Sequence, residues 1–338
     1  MVENICPVCG SESDLMLRAK DHHYNNDGEW NLNRCLNENC SHMFQCPIPN
    51  ENELIHYYGD TYYAYEKPKT DFKVNFLELK NLGVHLNKSF LKHYKGYSHL
   101  NIRNSRIFGF LGKLLSEFLM ISKFPNYIDS GRLLDYGSGA GDFVSFARHV
   151  GWIAEGIEFN KEAAKVGEKA GLDIYHGSID FLQNKNEYYD CIVTSHCVEH
   201  VPNVKRLFNA FYNGLKKGGK LLIEIPNGDA LAFKKYKEYH YYLGLPVHVN
   251  LFSNKSIRII SENAGFTIKS IRSYNRIITQ AYSLELLNRE KKQSSKMTSK
   301  YKKSGYLKSF FFIIKALLTS YNWDNKNNGD CLIIELEK

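Results

Sequence analysis

From Arg132 onward the chain alternates short apolar runs with longer amphipathic stretches. The segments RLLDYG (132–137), IAEGIEFN (153–160), LDIYHGS (172–178), YYDCIVTSH (188–196) and KLLIEIPN (220–227) read as strands. Between them, GDFVSFARHVG (141–151), KEAAKVGEKAG (161–171) and VKRLFNAFYNGLKKGG (204–219) carry apolar residues at helical spacing and stop at glycine. NKSIRIISENAGF (254–266) predicts another helix, TIKSIRSY (267–274) a strand, and GDCLIIELEK (329–338) a last strand. Strand and helix in turn predict an α/β chain with a doubly wound, mostly parallel sheet.

Upstream the pattern changes. NENELIHYYGDTYYAY (50–65) and NSRIFGFLGKLLSEFLMISKF (104–124) predict helices, and Pro125 with the NYIDSG turn closes that region. The first 50 residues hold five of the eight cysteines. No internal repeat is visible.

With 338 residues, 43% apolar and 24% charged, the chain is long enough for a large core and an appendage. The start, MVENICPVCGSESD, lacks a basic region followed by an apolar core. The longest apolar stretch, SFFFIIKALL (309–318), is too short to span a bilayer. These features predict a cytoplasmic chain whose cysteines serve as metal ligands or free thiols. The net charge of +8 is uneven: Arg289 to Lys308 holds eight Lys/Arg and one acid, +7 in all, leaving +1 for the rest. That distribution argues against a nucleic-acid-binding fold surface.

LLDYGSGAGDF (133–143) places three glycines, Gly137, Gly139 and Gly141, directly after a strand that ends near Asp135. Missing side chains let the backbone bend and lie against a ligand. Ligands of such sheets bind at the strands' carboxyl ends. The G-x-G-x-G spacing differs from the dinucleotide fingerprint, and no phosphate-loop lysine follows. Glu158 ends the second strand, 23 residues after Asp135. A carboxylate there accepts hydrogen bonds from ribose hydroxyls. Asp180, after the third strand, is placed to receive an adenine amino group.

On these residues the stretch from Arg132 to about Tyr274, with the closing strand, resembles the class I S-adenosylmethionine-dependent methyltransferases. LLDYGSGAGDF is similar to their first motif and EGIEFN to their acidic-loop motif. YYDCIVTSHCVEHVPN and LKKGGKLLIEIPN are similar to the segments around their fourth and fifth strands. The resemblance implies a Rossmann-like, seven-stranded, mostly parallel sheet and S-adenosylmethionine (SAM) as cofactor. It implies that Gly137, Ser138, Gly139 and Gly141 line the methionine part, with Asp135 near its amino group. Glu158 and Phe159 would meet the ribose end, Ile179 and Asp180 the adenine, and Ser195 and His196 the sulfonium. Ser138 stands where many members have Cys.

A sulfonium methyl is already activated, so the enzyme mainly aligns a nucleophile. A hydroxyl acceptor also needs a base. His248, in LPVHVNLFS, is the preferred candidate, and His200, in VEHVPN, the second. His240, Tyr241 and Tyr242 are weaker candidates nearby.

Cys6 and Cys9 form a C-x2-C knuckle, and Cys35 and Cys40 a second pair with four intervening residues. Two close pairs of thiolates match a closed, structural zinc site. The wider second pair leaves Cys46 or His42 open as a substitute ligand. Cys191, Cys197 and Cys331 read as core or loop thiols.

The expected organisation is a zinc ribbon at 1–50, a helical linker or lid at 51–127 and a SAM-binding core at 128–274. A basic loop and helical cap follow at 275–329, then the core's final strand at 330–338. Zinc ribbon, tyrosine-rich segment and core in this order resemble a bacterial subgroup linked to sugars, surface polysaccharides or secondary metabolites. Tyr57, Tyr58, Tyr62, Tyr63 and Tyr65 read either as a lid over cofactor or sugar or as a helix packing its stripe on the core. The basic stretch and apolar helix within 289–320 admit three readings: a pocket cap, which is favoured, a peripheral contact with the inner membrane face, or a dimer contact.

The expected function is methyl transfer from SAM to an oxygen of a sugar, polysaccharide precursor or related polar metabolite. Alternatives are C- or N-methylation of a nucleotide-linked sugar, or O-methylation of a small phenol. From another class, a non-catalytic zinc-ribbon and SAM-fold binding module is disfavoured by the intact Asp135, glycines and Glu158. RNA methylation is disfavoured by the near-neutral charge outside the insertion.

Overall fold

In a computed structural model, the structure describes residues 4–22, 26–58, 68, 79–102, 105–114, 124–293 and 328–338. The strands are β1 Ser13–Ala19, β2 Trp30–Cys35, β3 Met43–Gln45, β4 Arg132–Tyr136, β5 Ile153–Glu158, β6 Ile174–His176, β7 Tyr189–Ser195, β8 Leu215–Pro226, β9 Asn250–Leu251, β10 Thr267–Tyr274 and β11 Cys331–Glu337. The helices are α1 Glu51–Tyr57, α2 Leu79–Tyr94, α3 Ser105–Leu114, α4 Asp142–His149, α5 Lys161–Lys169, α6 Val204–Gly214, α7 Leu231–Tyr236, α8 Asn254–Asn263 and α9 Ile277–Gln293.

Seven strands form one sheet in the order β10-β11-β8-β7-β4-β5-β6. From β8 to β6 the neighbours are parallel, and β11 is antiparallel to both β8 and β10. This is the doubly wound, mostly parallel sheet that the pattern predicts. Chain order reverses beside β4: the chain winds through β5 and β6 on one side and through β7 and β8 on the other. The carboxyl ends of β4, β5 and β7 therefore flank the crevice where such sheets bind ligands.

Alternating strand residues feed two cores, one per face. Leu134, Ile192, Leu221 and Ile223 pack with Leu207, Phe208 and Phe211 of α6 and Ile257 and Ile260 of α8. Leu133, Cys191, Val193 and Leu222 pack with Val144 and Ala147 of α4, and with Phe90 and Leu91 of α2.

Two elements depart from the sequence pattern. The helix expected to reach Gly219 ends at Gly214, and Leu215 already pairs with Tyr189 of β7. Leu215 is fully buried, so sheet pairing wins over helical continuation. The N-terminal unit is also not self-contained. Its sheet runs β1-β2-β3-β9, and the last strand comes from the core's own sequence, after β8. Gln45 N donates to Val249 O (3.0 Å), Ser253 Oγ to Cys40 O (2.9 Å) and Lys255 Nζ to Glu38 O (2.7 Å). Asn250 Oδ1 lies 3.0 Å from His42 Nε2.

α1 is the described part of the tyrosine-rich helix, with a capping box from Asn50 and Glu53. Tyr62, Tyr63 and Tyr65 lie outside the described residues, as do the C-terminal half of the 104–124 segment and the basic stretch and apolar helix from 294 to 327. α9 is the described part of the insertion. Among the described residues no helix is long and apolar enough to cross a membrane.

Candidate active site

A cavity of about 670 Å³ opens at the carboxyl ends of β4, β5 and β7. This is within the usual range for small-molecule sites. Asp135, Gly137, Ser138, Gly139, Glu158, Phe159, Ser195, His196 and His200 all line it.

The glycine turn works by close approach. Gly137 has φ +82°, and a Cβ there would stand 2.5 Å from Cys197 Sγ. Only glycine fits both the backbone and the neighbour. Gly137 N and Ser138 N donate to Ile157 O at 2.9 and 3.0 Å, tying the turn to the end of β5. Glu158 is 6% exposed, and its carboxylate accepts from Gly139 N (2.7 Å) and Asn160 N (2.8 Å). Burial pushes its carboxyl up, although these backbone donors oppose the shift. Asp135 is also 6% exposed. One aspartate and one glutamate thus sit in the wall at adjacent strand ends.

Three expected cofactor residues lie away from the cavity. Gly141 is the N-cap of α4, with φ +95°, and a Cβ there would stand 2.7 Å from Leu172 Cδ1. Its role is to let the helix start against Leu172 and against Ile174 of β6. After β6 the chain passes Gly177 and Ser178, which line the cavity, and enters a 3-10 turn at Ile179–Asn184. That turn packs Ile179 into the core and sends Asp180 outward, where it pairs with Arg206 and accepts from Gln183 Nε2 (2.5 Å). On this side Gly177 and Ser178, and not Ile179 and Asp180, line the cavity.

At the end of β7, Ser195 Oγ donates to Glu224 Oε2 (2.7 Å), and Tyr274 OH bonds the other oxygen of the same carboxylate. His196 holds φ +52°, unusual for a residue with a side chain. Its Nε2 lies 3.1 Å from Arg276 Nη1, and its ring stacks on Tyr242 at 5.3 Å. Burial lowers its proton affinity, but the charges of Glu199 and Glu224 outweigh this and hold it above the usual imidazole range. The one acid in the apolar run KLLIEIPN is thus a buried anchor for the β7 terminus. Sequence reasoning passed over it, and an isolated Glu in an otherwise buried strand was the available signal.

His200 and His248 come together, with rings edge to face at 4.7 Å. His200 lines the cavity; His248 stands behind it and does not. His200 Nδ1 faces Val247 O (3.0 Å) and Tyr58 OH (2.9 Å), and His248 Nδ1 faces Tyr242 O (2.9 Å). Burial pulls His200 down to about 4, so its ring is neutral at pH 7. Of the two candidate bases, His200, the second choice from sequence, is the one on the cavity wall. Leu54 and Tyr58 of the α1 region also line the cavity.

The sulfurs of Cys6, Cys9, Cys35 and Cys40 all lie within 4.8 Å of one another. Sγ···Sγ is 3.8 Å for Cys6–Cys40 and 3.4 Å for Cys9–Cys35. A tetrahedron with Zn–S near 2.3 Å has sulfurs about 3.8 Å apart, so the donor set fits zinc. The pairs are far too long for disulfides. Sharing of one proton with Cys40 lowers Cys6 to about 4, and burial pushes Cys35 up to about 12. His42 and Cys46 are engaged elsewhere, with Asn250 and with Asn4 (3.3 Å).

A family model described as a methyltransferase domain matches residues 104–271. An uncharacterized protein of Methanocaldococcus jannaschii is 28% identical over 160 residues, which is 47% of this chain and 75% of that protein. The ubiquinone/menaquinone biosynthesis C-methyltransferase of Vibrio cholerae is 30% identical over 148 residues, 39% of this chain and 56% of that enzyme. The chain thus spans little more than half of that enzyme's length. A solved SAM-dependent methyltransferase from Archaeoglobus fulgidus aligns with a TM-score of 0.43 at 17% identity, covering 68% of this chain and 93% of the other. Strand order, the crevice at the glycine turn and the methyltransferase domain matched over residues 104–271 agree in supporting a SAM-dependent methyltransferase of the class I fold.

Proposed function

We propose that the chain methylates an oxygen of a sugar, surface-polysaccharide precursor or related polar metabolite. The observation that carries this reading is His200, a neutral imidazole on the cavity wall, four positions after His196 at the end of β7. Bound SAM supplies an activated methyl group on a sulfonium sulfur. Asp135 holds the amino group, Glu158 the ribose hydroxyls, and Gly139 keeps the backbone close to the ligand. Ser195 and His196 flank the sulfur. Tyr58 and the paired His200 and His248 form the acceptor side, where a hydroxyl's proton is handled at neutral pH. The four cysteines hold one structural zinc ion away from this chemistry.

The relative named as a C-methyltransferase favours a second reading, methyl transfer to carbon. One experiment separates the two. Purified chain is incubated with methyl-13C SAM and a panel of nucleotide sugars and glycan intermediates, and products are read by NMR. A methyl carbon at a methoxy shift supports the first reading; a methyl on carbon supports the second. Absence of transfer to every sugar, with transfer to a phenol, overturns both sugar readings.

A further inference from the structure

Glu199 is 1% exposed, and neither of its carboxylate oxygens makes a hydrogen bond among the described residues. The nearest cationic partner is His196, whose Nδ1 stands 3.4 Å from Oε1. A carboxylate so deeply buried normally has donors on both oxygens, and an exception calls for an ion or proton to complete it.

Two imidazoles converge on the same point. A carboxylate oxygen of Glu199 and a ring nitrogen each of His200 and His248 lie within 4.8 Å of one another. Both rings are pinned through Nδ1. Val247 O at 3.0 Å and Tyr242 O at 2.9 Å are carbonyls, which only accept, so each Nδ1 carries the hydrogen. Nε2 is then the nitrogen with a lone pair on each ring. A backbone carbonyl that fixes Nδ1–H and leaves Nε2 to ligate is the usual outer arrangement around a metal-bound histidine. The backbone reinforces it, since Val249 N donates to Glu199 O at 2.9 Å, joining the turn of Glu199 and His200 to the strand that follows His248.

We propose that Glu199, His200 and His248 form a second metal site, distinct from the cysteine cluster, for a divalent first-row transition cation. Two imidazoles and a carboxylate suit zinc, cobalt, iron or manganese, and three protein ligands leave coordination positions open. Because His200 lines the cavity, those positions are at the acceptor side. Filled, the site would replace the direct handling of the acceptor's proton by His200 and His248 described above; methyl transfer from SAM itself stands with or without the ion.

The test uses the full chain with zinc retained in the cysteine cluster and cobalt(II) as probe. Bound cobalt is counted after dialysis and its absorption spectrum recorded, with S-adenosylhomocysteine binding measured in parallel as a control for an intact fold. Wild type should take about one cobalt per chain beyond the zinc, with ligand-field bands and without the intense near-ultraviolet bands of thiolate ligation. Glu199→Gln, which keeps shape and removes charge, should weaken cobalt binding at least about tenfold while zinc content and S-adenosylhomocysteine affinity persist. His248→Gln should do the same. No bound cobalt in wild type, cobalt bound only with thiolate bands, or unchanged affinity in both variants overturns the proposal.

Discussion

Glu158 combines deep burial with two backbone hydrogen bonds, so its carboxylate is already aimed before any ligand arrives. Removing it should cost S-adenosylhomocysteine about 1.5–3 kcal/mol, roughly a 10- to 100-fold weaker Kd by calorimetry. Unchanged affinity for Glu158→Ala would remove the ribose role. Asp330 makes a different prediction. It is fully buried, and burial pushes its carboxyl up to about 6, although Arg276 N and Gln280 Nε2 donate to it. The folded state therefore binds this proton more tightly than the unfolded chain. Its contribution to stability is complete below pH 4 and is lost as pH rises through 6. Urea midpoints of wild type should carry this downward slope between pH 4 and 6, and Asp330→Asn should flatten it. At this scale the sequence pointed to residues that the structure gathers on one cavity wall through local order, such as Asp135, Gly137, Gly139 and Glu158. It did not reveal Glu224, Tyr274 and Arg276, which lie up to 52 positions apart and meet only through the sheet. The outward placing of Asp180 was not legible for a related reason: the 3-10 turn that carries it has no periodic signature.

Alternating strands and helices are legible because each buries one face in a repeating register. β4 to β8 and α4 to α6 accordingly sit where the apolar pattern puts them, within the extent of a turn or two. β9 was invisible. It is two residues long, and its pairing partner lies at the other end of the chain. Yet its Asn250 is fully buried and joins two units: Oδ1 faces His42 Nε2, and Nδ2 donates to Val201 O at 2.8 Å. Asn250→Ala leaves buried partners unsatisfied on both sides. It should cost about 1–3 kcal/mol in denaturant unfolding, with Asn250→Asp no substitute because it removes the Nδ2 donor. A cost near zero would show that the two units do not depend on this strand.

Across the whole molecule, the cysteine cluster and the cavity are linked by covalent sequence as well as by contact. Phe44 of β3 pairs with Asn250, which follows His248 by two positions. Elemental analysis should find zinc at one ion per chain in the cysteine cluster, lost when Cys6 and Cys9 are both replaced by Ser. Stripping that zinc should speed hydrogen exchange of amides in 198–201 and 247–251 as well as in the first 46 residues. Faster exchange confined to the N-terminal unit would show that the two are mechanically separate.

The strand shared between the two ends of the chain also bears on synthesis. His42 and Asn250 are 208 positions apart. At translation speeds of roughly 5–20 residues per second, the N-terminal unit waits roughly 10–40 s for its last strand. Throughout that interval the edge of β3 is open to pairing with another nascent copy. All four cysteines, however, emerge within the first 40 residues. Early metal capture would clamp this unit on the ribosome long before the enzyme that needs it exists.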